Sequence, residues 1–147
     1  MGRAGAVFVV GEPVAAIIYA AAQLHFNAAS AVQNTLIFLI AGLVPLGSLL
    51  ASWVLSSEAA AIHSIESLAR FGISRRFLAL INSAATCLLS AAVAGMSATF
   101  AMLTTHAAWS DTIVSVWIAA CGGATYAALF VALAQLQRTW VLWSFLI

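Results

Sequence analysis

The sequence predicts an all-α protein, a polytopic bundle of about four transmembrane helices with one short amphipathic helix in a loop. The chain of 147 residues is 65% hydrophobic and only 6% charged, whereas a soluble domain carries about 25% charged residues. Four long apolar stretches divide the chain, and every arginine falls outside them. So few charges cannot cover a water-facing exterior, and the protein is expected to reside in a lipid bilayer.

The four apolar stretches have the length of membrane-spanning helices. A helix of about 21 residues rises about 31 Å, which matches a hydrocarbon core of about 30 Å. A transmembrane barrel would need alternating segments of about 10 residues, and these runs are continuous instead. Residues 1–147 are therefore predicted to form a single transmembrane domain. The predicted spans are residues 4–24, 35–55, 77–103 and 112–136.

The arginines predict the orientation of the spans. If each stretch crosses the bilayer, all the arginines lie on one side, and the loops on the other side, 25–33 and 104–111, contain no Lys or Arg. The positive-inside rule then places the N-terminus in the cytoplasm. The Ala-rich, Lys-free composition suggests a bacterial inner membrane. The arginines are Arg3, Arg70, Arg75, Arg76 and Arg138.

The first span contains a carboxylate, Glu12, followed directly by Pro13. Pro is tolerated in the first turn of a helix, so the span could begin at Pro13 after a short interfacial segment. Alternatively, one kinked helix runs from Ala4. A charge inside the membrane is costly, which favours placing Glu12 near a boundary or a cavity. Such a residue is a candidate intramembrane polar site, and a boundary glutamate beside a proline turn is an equally good interpretation.

The other spans carry features of helix packing. The second contains Pro45, which predicts a kink. Pairs of small residues four apart, Ala91/Gly95 and Gly123/Ala127, would let helices approach closely. After Arg138, the apolar residues 139–147 are too short to span. They could form an interfacial tail or the beginning of a truncated fifth span.

The only sizeable polar region is the loop of residues 56–76, SSEAAAIHSIESLARFGISRR. Apolar residues recur in it at helical spacing, which predicts a short amphipathic helix with Glu66 and Arg70 on its polar side. Gly72 is a candidate left-handed end of that helix. Ser74 can cap the next helix. The loop is therefore predicted to hold a short helix, a glycine break and a capped restart.

With these motifs in place, residues 43–82 resemble the second span, loop and third span of ABC transporter permeases of the type-2 exporter class. Those proteins carry a Glu after the second span, then a Gly-Thr-Leu-Glu-x-Leu helix, then Leu-Gly-Ile-Ser-Arg-Arg. The matching positions here are Glu58, the run HSIESL of 63–68, and the run FGISRR of 71–76. The run GATYAALF of 123–130 is similar to the family's fourth span.

The resemblance implies that the loop helix is a coupling helix, which docks on a separate ATP-binding subunit. It also implies a second permease chain, and export more than import. ATP and Mg²⁺ would bind to the partner, so no cofactor is expected on this chain, and neither an enzymatic activity nor nucleic-acid binding is expected of it. The implied partner-binding residues are Glu58, His63, Ile65, Glu66, Leu68, Arg70, Gly72, Arg75 and Arg76.

The chain departs from the family in two ways. The family has six spans, and His63 stands where a glycine is usual. The chain could be a fragment, a split half-permease or a relative that has lost transport. A structural or assembly subunit of a larger membrane complex is the alternative function, and a proton- or cation-linked carrier that uses Glu12 is a third hypothesis. His25 and His106 lie at span ends without enough ligands nearby for a metal site.

Overall fold

The computed structural model describes the backbone of residues 3–61, 72 and 74–144, and the side chains of residues 7–53, 72, 74 and 77–134. This part of the chain is all-α, as the sequence predicts. Four of its helical segments are long and apolar enough to cross a membrane, which makes the protein a multi-pass membrane protein. The segments are Val7–Phe26, Ala28–Trp53, Phe77–Thr104 and Trp109–Ala134. The helices are α1 (Arg3–Phe26), α2 (Ala31–Phe38), α3 (Val44–Ala61), α4 (Arg75–Thr104) and α5 (Trp109–Ser144).

Successive spans run in opposite directions. Phe8, near the start of α1, packs in one cluster with Val93 of α4 and Ala51 of α3, and Glu12, one turn after Phe8, meets Gly47, one turn before Ala51. Gly95 of α4 faces Val116 of α5, early in that helix. Helices α1 and α4 are therefore parallel to each other and antiparallel to α3 and α5.

This topology gives the bundle two different ends. The arginine end holds the start of α1, the start of α4 and the last part of α5. The hairpin end holds the short connections at residues 27–30 and 105–108. That all the arginines share one side of the membrane stays a prediction; four of them lie in described helices, in the parts towards the arginine end. These are Arg3, Arg75, Arg76 and Arg138.

Helix α1 is one continuous helix that contains Pro13. Of the two alternatives left open by the sequence, the single span is correct, and the short interfacial segment is wrong. A continuous helix places Glu12 inside the span, and its side chain does not extend to the membrane surface. Its side chain is instead buried among the other helices.

The second span differs from the prediction, since its helical structure begins at Ala28 rather than at residue 35. A 3₁₀ turn, Ala28–Ser30, leads into α2, and a π-helical segment, Leu39–Leu43, joins α2 to α3. In a regular α-helix the ring of Pro45 would clash with the carbonyl group of Ala41. The wider π turn relieves this conflict without breaking the span.

Small residues set the distance between α4 and α5. A Cβ atom on Gly123 would lie 2.8 Å from the backbone oxygen of Ser90 and 3.1 Å from Cβ of Ala94. Ala127, one turn later, is fully buried. The predicted small-residue pair Gly123/Ala127 therefore lies in a close contact between helix backbones.

Most serine and threonine hydroxyl groups in the helices are bonded within their own helix. They donate to the carbonyl oxygen four residues earlier, a common arrangement for these side chains in membrane helices. Examples are Ser52 to Ser48, Thr86 to Asn82, Ser97 to Val93 and Thr125 to Cys121, each with an oxygen–oxygen distance of 2.8 Å.

Helix α5 excludes one of the two interpretations of residues 139–147, the beginning of a fifth span. Residues 139–144 continue α5 without a turn, so they are not the beginning of a fifth span. Nothing in this stretch breaks the helix, because it contains neither Pro nor Gly.

Candidate functional site: a buried carboxyl at the junction of three helices

Glu12 is the one buried acidic or basic side chain among those the structure describes, with 7% of its surface exposed. It lies in the span Val7–Phe26, five residues from its first residue, or about 7.5 Å along the helix axis. The sequence singled out this residue. Its side chain lies inside the bundle, and the boundary position considered for it along the membrane normal stays a hypothesis.

Gly47 on α3, which has no side chain, leaves room for the Glu12 carboxyl group. A Cβ atom on Gly47 would overlap Oε2 of Glu12 and would lie 2.7 Å from its Cδ. The same Cβ would lie 3.2 Å from the ring of Phe8. A Cβ atom at position 47 would therefore require the end of the Glu12 side chain and the ring of Phe8 to move.

Helix α4 supplies the polar contact of this carboxyl group. The side chain of Ser97, which is fully buried, lies beside the Glu12 carboxyl group. The Ser97 hydroxyl group donates to the carbonyl oxygen of Val93, at 2.8 Å. The second carboxyl oxygen, Oε1 of Glu12, has no hydrogen-bond partner.

Pro13 changes the backbone next to this site. Because proline has no N–H group, it cannot donate to the carbonyl oxygen of Val9 as a residue in a regular helix would. Pro13 is itself buried. An acceptor that is left without its usual donor therefore lies one turn before the proline, on the helix that carries Glu12.

A second polar contact links α3 to α5 beside this site. The hydroxyl group of Ser48, the residue after Gly47, donates to the backbone oxygen of Gly123 at 3.2 Å. The Ser90 hydroxyl group is buried nearby on α4 and has no hydrogen-bond partner. All four spans thus contribute a polar group or a glycine to this part of the bundle, which extends over about two turns of α4.

The chain shows no similarity to any protein-family model, curated protein or solved structure. Function is therefore inferred from the residues themselves.

The loop residues that the resemblance implies as partner-binding lie partly outside the described residues. Gly72 has a positive φ of 78°, the left-handed conformation predicted for it. Ser74 caps α4, since its hydroxyl group accepts a hydrogen bond from the backbone N–H of Phe77 at 3.2 Å. For Glu58, Arg75 and Arg76 the structure describes the helical backbone only. Outside the described residues are His63, Ile65, Glu66, Leu68 and Arg70.

The two histidines at span ends are not brought together into a ligand set. His25 ends α1 and packs edge-on against Phe26, with ring centroids 5.1 Å apart. His106 lies exposed in the connection between α4 and α5, with a positive φ of 54°. Among the described residues there is no group of three His, Cys, Asp or Glu side chains that could hold a metal ion.

The sequence did not reveal the partners of Glu12, which are Gly47, Ser97 and Phe8. One signal was available. Ser90 and Ser97 are seven residues apart, and this spacing places them on one face of α4.

A carboxyl group that is enclosed by apolar and hydroxyl groups can bind a proton, and it can change the packing of its helix when it does so.

Proposed function

We propose that the chain is a membrane-spanning permease subunit of an ATP-driven transporter, resembling the type-2 exporter class of ABC transporters. A separate ATP-binding subunit would dock at the arginine end, on the segment of residues 62–76. The observation that supports this proposal best is the helix restart before α4. Gly72 is left-handed and Ser74 caps the next helix, as the resemblance to the family's loop leads us to expect.

The proposed orientation places the arginine end in the cytoplasm of a bacterial inner membrane. It rests on the positive-inside rule and on the absence of Lys and Arg from both connections at the hairpin end. An ATP-binding subunit is a cytoplasmic protein, so the arginine end is the end at which it could bind.

The segment 62–76 is well placed to pass force into the bundle. It joins α3, which ends at Ala61, to α4, which begins at Arg75. Helix α4 in turn packs against α1 and closely against α5. A partner that pulls on the segment would therefore tilt α3 and α4 together, and the packed helices could switch between two arrangements.

A second permease chain is part of the proposal. Large apolar side chains are exposed along the spans, among them Leu80 and Leu88 of α4 and Trp117 of α5. In a transporter dimer some of these would face the partner chain and the rest would face lipid. Transport would take place between the two chains, because the described bundle is filled by its own small side chains.

The test is purification from native membranes in mild detergent, followed by mass analysis of the co-purifying proteins. The wild type is compared with the double variant Glu66→Arg/Arg70→Glu, which exchanges two charges and leaves the net charge unchanged. We expect an ATP-binding protein to co-purify with the wild type and to be lost from the double variant. The variant should also lose ATP-driven transport.

The control is Asp111→Asn, which changes an exposed charge at the hairpin end. It should keep the ATP-binding partner. If no nucleotide-binding protein co-purifies with the wild type, or if it stays bound to the double variant, the permease proposal is wrong. The chain would then be a structural or assembly subunit of a larger membrane complex.

A further inference from the structure

The carboxyl group of Glu12 has no use in the proposed ATP-driven transport, and its surroundings point to a ligand of its own. It is more than nine-tenths buried, it lies within a membrane span, and one of its oxygens has no partner. Ionised carboxyl groups in such places are paired with a cation or give way to the neutral form. The identity of its neighbours decides between these two solutions.

The described neighbours include no cation. Helix α1 presents Phe8 to the carboxyl group, α3 presents Gly47, and α4 presents Ser97. None of these three residues is charged or titrates. On the same helix, Arg3 is nine residues from Glu12, or about 14 Å along the helix axis, and His25 is thirteen residues away, or about 20 Å.

The hydrogen atoms around Ser97 can be counted. A serine hydroxyl group has one hydrogen to donate. That hydrogen goes to the carbonyl oxygen of Val93, which can only accept. With its hydrogen directed to Val93, the Ser97 oxygen presents only lone pairs to Glu12, an arrangement that suits a protonated carboxyl group and is unfavourable for an ionised one. An ionised Glu12 has no hydrogen to give.

We propose that Glu12 is a proton-binding site in the interior of the membrane bundle. Its carboxyl group holds one proton, donates it in a hydrogen bond to Oγ of Ser97, and releases it when α1 moves away from α3 and α4. In the release step the O–H bond of the carboxyl group breaks, both electrons stay on the carboxylate, and water accepts the proton. The proposal does not rest on the proposed ATP-driven transport, because it concerns α1 and its packing alone.

The experiment is infrared spectroscopy of the purified full-length chain in detergent at neutral pH. A protonated carboxyl group has a C=O stretching band that a carboxylate lacks. The chain has four carboxyl side chains, namely Glu12, Glu58, Glu66 and Asp111. We expect one such band in the wild type, its complete loss in Glu12→Gln, and its retention in the control Asp111→Asn.

Glutamine has nearly the shape of a protonated glutamate and can donate to the Ser97 oxygen, so Glu12→Gln should fold. If Glu12→Gln fails to fold, a second pair of variants tests the same proposal. Ser97→Ala removes the acceptor, and the C=O band should move to higher frequency without disappearing. Ser83→Ala removes a hydroxyl group that is likewise bonded to the carbonyl group four residues earlier, but it is half-buried and lies about 21 Å from Ser97 along the axis of α4, so it should leave the band unchanged.

Three results would overturn the proposal. The wild type could lack the band at neutral pH, the band could survive Glu12→Gln, or it could stay at its frequency in Ser97→Ala. Sodium ions give a further arm. If added sodium chloride removes the band at constant pH while choline chloride does not, the carboxyl group exchanges its proton for a metal cation, and a site for protons alone is excluded.

Discussion

Gly47 and Glu12 depend on each other across the contact between α1 and α3. The glycine leaves the space that the carboxyl group fills, and the carboxyl group occupies what would otherwise be a void beside Phe8. Each residue type would be unfavourable at its position without the other. A buried carboxyl group beside a larger residue would clash, and a glycine inside a helix without such a neighbour would only weaken the helix.

The substitution Gly47→Ala should destabilise the protein by about 1–3 kcal/mol, the usual effect of forcing extra volume into a packed interior. The measurement is the thermal unfolding midpoint in detergent. Gly11→Ala is the matched control on α1, since nothing lies within 4 Å of a Cβ added at position 11. It should be neutral or slightly stabilising, because alanine favours the helix.

The double variant Gly47→Ala/Glu12→Ala identifies the clashing group. Removal of the carboxyl group should recover part of the stability that Gly47→Ala loses, since the added methyl group then has space. Equal unfolding midpoints for Gly47→Ala and Gly11→Ala would contradict the described contact.

At the scale of helices, α4 and α5 form the most extensive contact among the described helices, and its geometry distinguishes two adjacent glycines. A Cβ atom on Gly123 would lie 2.8 Å from the backbone oxygen of Ser90, a distance that requires the helices to move apart. A Cβ atom on Gly122 would meet only a methyl group of Val44 at 3.7 Å, which is an ordinary contact.

Gly123→Ala should therefore destabilise the bundle by about 1–3 kcal/mol, whereas Gly122→Ala should change its stability by less than about 1 kcal/mol. The two variants have the same composition and differ only in which side of α5 carries the methyl group. Unfolding in detergent mixtures of increasing SDS content measures both. A larger effect for Gly122→Ala would mean that α5 is rotated relative to the described contact.

The helices themselves could be predicted from the sequence, and their partners could not. Continuous apolar runs defined the four spans, because a span needs length and hydrophobicity and both are local properties. In lipid, however, a helix is apolar on all sides, so the pattern does not say which face points inward. For this reason the sequence found Glu12 but not Gly47 or Ser97, and it missed the π-helical segment, which depends on Pro45 and its surroundings.

For the molecule as a whole, the distribution of arginines predicts one orientation in the membrane. The arginine end should face the cytoplasm, and the hairpin end should face outward. The orientation can be measured with single cysteines introduced into a variant without Cys87 and Cys121. A membrane-impermeant maleimide labels only those cysteines that lie outside intact cells. Asn27→Cys and Ala107→Cys, both in the connections at the hairpin end, should be labelled.

The matched position at the other end is Ser74→Cys, which is exposed just before α4. It should be labelled only after the membrane is opened. The reverse pattern, with Ser74→Cys labelled in intact cells, would invert the orientation and with it the place of any ATP-binding partner.

The hydroxyl groups bonded within their own helices have a consequence for the synthesis of this protein. A helix whose serines and threonines are already satisfied can enter the bilayer before its neighbours exist. Helix α1 is different, since its carboxyl group finds its partner on α4, 85 residues later in the chain. At about 5–20 residues per second, a ribosome takes about 4–17 s to reach that partner. During this interval the carboxyl group of α1 is in the membrane without its partner. The insertion of α1 should therefore depend on the translocation machinery or a membrane chaperone more strongly than the insertion of the later helices does.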